Sequence, residues 1–213
     1  MAKSSSQITQ EYSLYGQVIS RESIFVSYTF IAGIFPQQNG AQIAIWSSTN
    51  PLWDSPPTKM FPINNNESSG EIILEGLQVQ GIDYTLALLV GPSARMITAL
   101  SSFKPGTTVG RSSALIIDVV QTGPDALRVS AKTPSGNVPS NNENWIGIWE
   151  GEANYLNPHC CLQRTPVVSL RSSFTEMISN LPLKFDSVYT LAYGVGPDWN
   201  QIGATSTFKT APY

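Results

Sequence analysis

The second half of this chain repeats the first. Ile43-Ala44-Ile45-Trp46 returns as Ile146-Gly147-Ile148-Trp149, Leu77 as Leu181, and Tyr84-Thr85-Leu86-Ala87 as Tyr189-Thr190-Leu191-Ala192. Val90-Gly91-Pro92 returns as Val195-Gly196-Pro197, and Ser102-Phe103-Lys104 as Thr207-Phe208-Lys209. The offset is 103 residues at the tryptophans and 105 from the tyrosines onward, so two single-residue insertions separate the copies. Five blocks recurring in one order divide the 213 residues into two copies of one unit, residues 1–105 and 111–213. The junction lies in Lys104-Pro105-Gly106-Thr107-Thr108-Val109-Gly110, turn formers without periodicity.

Each unit reads as short strands. The apolar runs are Ile24–Tyr28, Gln42–Trp46, Glu71–Leu74 and Tyr84–Val90 in the first copy. The second offers Ala114–Val120, Leu127–Ala131, Trp145–Trp149, Val167–Leu170 and Tyr189–Val195. Turn residues punctuate them, and no segment sustains a helical period. The pattern predicts an all-β chain of two tandem two-sheet sandwiches related by duplication. Leu181 followed by Tyr189 and an alternating strand, mirrored by Leu77 and Tyr84, matches a tyrosine corner, whose hydroxyl bonds backbone just upstream.

On these residues the chain resembles tandem fibronectin type III or immunoglobulin-like domains. Trp145-Ile146-Gly147-Ile148-Trp149 is also similar to a strand of SKICH-type and purple-acid-phosphatase N-terminal sandwiches. The first copy departs from it, with Gln42 at the place of Trp145 and Ala44 at that of Gly147. The resemblance implies architecture, since such sandwiches host many unrelated functions.

Charge narrows the function. Only 13% of residues are charged, about half the usual share, and 66 Ser, Thr, Asn and Gln residues take their place. A net charge of −3 argues against a phosphate-backbone binder, so no nucleic-acid partner is expected. No apolar run is long enough to span a bilayer. Met1–Gln7 has no apolar core of a leader, which makes a cytoplasmic location the default expectation and secretion the expectation for a mature form. No phosphate loop, G-x-S-x-G or H-E-x-x-H occurs, and no cofactor is expected.

Alternation along Trp145–Trp149 puts Ile146 and Ile148 on one face, and Trp145, Gly147 and Trp149 on the other. Two arrangements follow: an outer aromatic platform notched above Gly147, or tryptophans packed inward or into the domain junction. Trp53, Trp145 and Trp199 have no counterpart in the other copy, and Trp199 lies beside Asp198 in a turn. Trp53, Trp145, Trp149, Asp198 and Trp199 are the candidate ligand-binding residues, at a junction that the tryptophans either weld or line as a cleft.

His159-Cys160-Cys161 lacks the spacing for a catalytic pair or a metal site, and adjacent cysteines form a disulfide only under strain. Glu143, Glu150 and Glu152 sit near amide oxygens, but no calcium-loop motif is present, so no metal is expected. Three functions compete. One is non-catalytic, lectin-like recognition of a glycan or small neutral ligand. Another is adhesion or structural interaction, including homodimerisation. The third is a small cyclase or hydrolase, which would need a closed pocket holding Asp198, Tyr193 or Glu150.

Overall fold

A computed structural model describes residues 8–10, 12–48, 53, 55–106, 111–152 and 156–211. The first half holds β1 (Ile8–Gln10), β2 (Ser13–Val18), β3 (Ile24–Thr29) and β4 (Gln42–Trp46). It continues with β5 (Lys59–Pro62), β6 (Ser69–Leu74), β7 (Tyr84–Leu89) and β8 (Ile97–Phe103). The second half repeats the series as β9 (Arg111–Ala114), β10 (Ile116–Thr122), β11 (Ala126–Lys132) and β12 (Trp145–Glu150). It ends with β13 (Cys161–Pro166), β14 (Ser173–Ser179), β15 (Val188–Gly194) and β16 (Ile202–Lys209). The protein is all-β, in two sandwiches.

Each sandwich faces a three-stranded sheet against a five-stranded one. The small sheets are β2-β3-β6 and β10-β11-β14. The large ones run β5-β4-β7-β8-β9 and β1-β16-β15-β12-β13, and every pairing is antiparallel. Inward residues alternate as the pleat requires: Ile24, Val26 and Tyr28 on β3, and Leu127, Val129 and Ala131 on β11. They meet Leu86 and Leu88, or Leu191 and Tyr193, from the facing sheets.

The expected segment Val167–Leu170 is not a strand. β13 closes at Pro166, which has no N–H for the ladder, and only Val167 is buried. Val168 and Leu170 stand in the connection to β14, 75% and 71% exposed.

Both tyrosine corners form. The Tyr84 hydroxyl accepts the Gln80 N–H at 2.8 Å, and the Tyr189 hydroxyl accepts that of Lys184 at 2.7 Å. The rings stack on Phe103 and Phe208, both with centroids 5.7 Å apart.

The first strand of each half belongs to the other half's large sheet. β1 pairs with β16 through Ile8↔Thr207, Thr9↔Ser206 and Gln10↔Thr205. Reciprocally, β9 pairs with β8 through Arg111↔Ser102 to Ala114↔Ala99. Polar links join the crossing: the Tyr12 hydroxyl donates to the Ile202 carbonyl. Asn39 Nδ2 donates to the Asn200 carbonyl and Asn200 Nδ2 to Asn39 Oδ1, each at 3.0 Å. Between them Met96 and Gln201, equivalent in the repeat, cover Gly91 and Gly196. A Cβ on Gly91 would come within 2.5 Å of Met96 Sδ, and one on Gly196 within 2.2 Å of Gln201 Oε1. These contacts hold the halves side by side as an approximate two-fold pair.

Candidate functional site

β12 turns Ile146 and Ile148 into the core and Trp145 and Trp149 onto the opposite face, as alternation requires. That face is not an open platform. Trp145 and Trp149 are 1% and 2% exposed, and their rings lean over Gly147 and fill the expected notch. A Cβ on Gly147 would lie 2.5 Å from Trp149 and 2.9 Å from Trp145. Gly194, the register partner of Trp145 on β15, is also covered: a Cβ there would fall 2.0 Å from the indole. Both indoles are tied to backbone. Trp145 Nε1 donates to the Gly196 carbonyl and Trp149 Nε1 to that of Asn157, each at 2.8 Å.

Trp199, half-buried in the turn after β15, closes the cluster at 5.1 Å from Trp145 and 6.1 Å from Trp149. Arg164 of β13 enters from the edge. Its guanidinium lies 4.5 Å from the Trp145 ring and 4.6 Å from Trp199, and Nη2 donates to the Pro197 carbonyl at 2.5 Å. Burial lowers the Arg164 pKa, while Cys161 and Asp198 push it the other way. The sequence reading passed over Arg164. Its signal was a lone cation at the β13 register opposite Gly147, visible only once β12 and β13 are paired.

Asp198 is exposed and holds its own turn, accepting Gln201 Nε2 at 2.8 Å. Trp53 stands apart from the cluster of Trp145, Trp149 and Trp199. Its Nε1 donates to the Ser135 carbonyl of the second half at 2.8 Å, and its ring covers Gly136. At that contact Trp53 welds the halves.

Trp199 also walls a groove of about 370 Å³ between the halves. Ile31, Ile34 and Phe35 of the first half supply apolar surface opposite Leu156 and Pro158, and Gln38, Asn39 and Asn200 supply amides. None of the described lining residues is charged. The sequence reading missed Ile31–Asn39 because their role depends on how the halves dock.

The acid–base candidates scatter. Tyr193 is buried, its hydroxyl accepts Asn144 Nδ2 at 2.8 Å, and burial raises its pKa well above the ordinary range. Glu150 pairs with Lys184 at 2.6 Å, and neither lines the groove. His159 and Cys160 are exposed, and burial pushes the Cys161 thiol up, the reverse of an activated nucleophile. Among the described residues no three His, Cys, Asp or Glu gather as metal ligands.

Neither a protein-family model nor a curated protein matches this sequence. Among solved structures the chain is similar to the FN1–FN3 domains of chicken CNTN1, at 13% identity and a TM-score of 0.31. That match covers 93% of this chain and 66% of that one.

Proposed function

We propose that the chain is a non-catalytic recognition protein that seats a neutral polar ligand, such as a sugar, in the groove between its halves. One observation carries the reading: a half-buried tryptophan and several amides share an uncharged groove about large enough for one or two sugar rings. An indole face stacks on the apolar face of a sugar, and amides serve its hydroxyls as donors and acceptors.

A glycan-array screen with labelled protein, followed by tryptophan fluorescence titration, tests it. The expected result is a saturable hit that shifts emission and is lost in Trp199→Ala. The equivalent of Trp199 in the first half is Ala94, so the variant places there a residue this turn already carries. A blank array, or a hit that survives in Trp199→Ala, overturns the reading.

A second reading, adhesion through an apolar surface, is favoured by Val168 and Leu170. The first half carries Asn64 and Asn66 at the matching places, while the second exposes two large aliphatic side chains. Sedimentation of the wild type should then show concentration-dependent association that Val168→Asn with Leu170→Asn abolishes. A wild type that stays monomeric removes this reading.

A further inference from the structure

The two halves sit as an approximate two-fold pair, so the groove between them has a twin. One wall of the groove comes from the connection 31–39, and the other carries Leu156, Trp199, Ile202 and Thr205. In the repeat the first wall corresponds to 134–142, and the second to Trp53, Ala94, Ile97 and Leu100.

The twin is filled by a side chain. Trp53 lies beside Ala94 against the cluster of Ile97 and Leu100, and its ring reaches over to cover Gly136 on the other wall. Its Nε1 donates to the Ser135 carbonyl at 2.8 Å. Ser135 and Gly136 are the equivalents of Ala32 and Gly33, which both line the open groove. Gly33 and Gly136 keep the same left-handed backbone, with φ of 83° and 86°, so the two walls are built alike. The protein therefore shows, in its own first half, what one copy of this concavity accepts: an indole laid between the walls.

The residues around the two copies are exchanged in opposite senses. Where the twin has the indole of Trp53, the open groove has the smaller Leu156. Where the twin has Ala94 and Val138, the open groove has Trp199 and Phe35. A groove that lacked only its plug would need no larger walls. Instead two rings stand on those walls, Trp199 half-buried and Phe35 45% exposed. Aromatic surface left to water along a concavity marks a place where something apolar is received. Thr205, in place of Leu100, adds a hydroxyl on the same wall.

We infer that the open groove takes a flat aromatic ring of about indole size, seated as Trp53 is seated in the twin. This rests on the reading that the groove is the ligand site, and it adds an aromatic part to the neutral polar ligand; an aryl glycoside is the simplest molecule with both. The ring lies against Leu156 and the Gly33 turn with Phe35 and Trp199 beside it. Gln38 and the Asn39–Asn200 pair then face the polar part.

The test is amide NMR of the intact chain, following the Gly33 backbone amide. The probes are indole, and the phenyl and methyl glycosides of glucose, galactose, mannose and N-acetylglucosamine. Indole should shift Gly33 saturably, and at least one phenyl glycoside should bind about tenfold more tightly than its methyl partner. Leu156→Trp supplies the twin's own plug and should abolish both responses while the chain stays folded by circular dichroism. Phe35→Val installs the twin residue at an exposed position, so it should leave the melting temperature unchanged and weaken indole binding about threefold. Indole and phenyl glycosides that leave Gly33 unmoved overturn the inference. So does indole binding that a folded Leu156→Trp retains, or that Phe35→Val leaves at full strength. Methyl and phenyl glycosides that shift Gly33 with equal affinity overturn it while keeping the sugar reading. Indole binding with no response to any glycoside supports the ring site and removes the sugar.

Discussion

The outer faces of the two large sheets share a backbone and differ in how they fill it. On the first, Gln42 faces Leu89 across β4 and β7, and Met60 lies opposite Ala44. On the second, Trp145 faces Gly194 and Arg164 lies opposite Gly147. Volume is traded between register partners: one large residue and one glycine replace two of middle size. The first face closes as a small apolar cluster of Trp46, Ala44, Ala87, Leu89 and Leu100. The second becomes a stack of three indoles and a guanidinium. The inner faces keep matching aliphatics such as Ile24 with Leu127, Val26 with Val129 and Leu86 with Leu191, so the fold is held while the outside changes.

The sharpest way to break this comparison is to move one partner without the other. Gly194→Leu installs the residue of the first half, but its side chain must begin where the Trp145 ring already lies. Overpacking of this kind costs about 3 kcal/mol or more, and here the clash is with a ring against backbone. The second half should fail to fold cooperatively by circular dichroism. Adding Trp145→Gln restores the first half's pairing, and the double variant should melt above Gly194→Leu alone.

The tyrosine corners test the part that is the same. Tyr84→Phe and Tyr189→Phe should each cost about 1 kcal/mol in denaturant unfolding, for the lost bonding of one partly buried hydroxyl apiece. Unequal costs would show that the corners have diverged as the outer faces have.

The smallest effect sharpens a single position. Glu176 stands at the register of Ile72, and burial raises its carboxyl pKa against the lowering bonds from Val168 and Ser169. The folded chain then holds the proton more tightly than the unfolded one. Stability is therefore fully present at pH below both values and is lost as pH rises through them. Glu176→Gln should remove the fall in melting temperature that this carboxyl causes as pH rises through the carboxylate range, read by calorimetry from acid to neutral pH.

The architecture was legible because duplication and alternation are local signals. Tyr84 and Tyr189 announced both corners, and Ile146 and Ile148 announced which face of β12 is core. β16 went unread because its central Ala204-Thr205-Ser206-Thr207 looks like a loop, although Ser206 is buried. Its outer ladder partner, β1, lies about two hundred residues away in the chain. The site was legible only in part, for a similar reason. The structure brings Trp145, Trp149 and Trp199 together, but their burial depends on Arg164 and on Gly194, which pair with β12 from opposite sides. Trp53 meets the second half, yet at Gly136 and apart from that cluster.

The crossed first strands also bear on connectivity. β8 and β9 lie side by side and are joined through residues 104–110, whereas β16 and β1 lie side by side in the same relation without a covalent join. Topologically the chain is a ring of two matching arcs, open at one of two equivalent joints. A circular permutant that bridges β16 to β1 with a linker as long as 104–110 and opens the chain there would keep every ladder. In it the second half would lead, and the two joints would have exchanged roles.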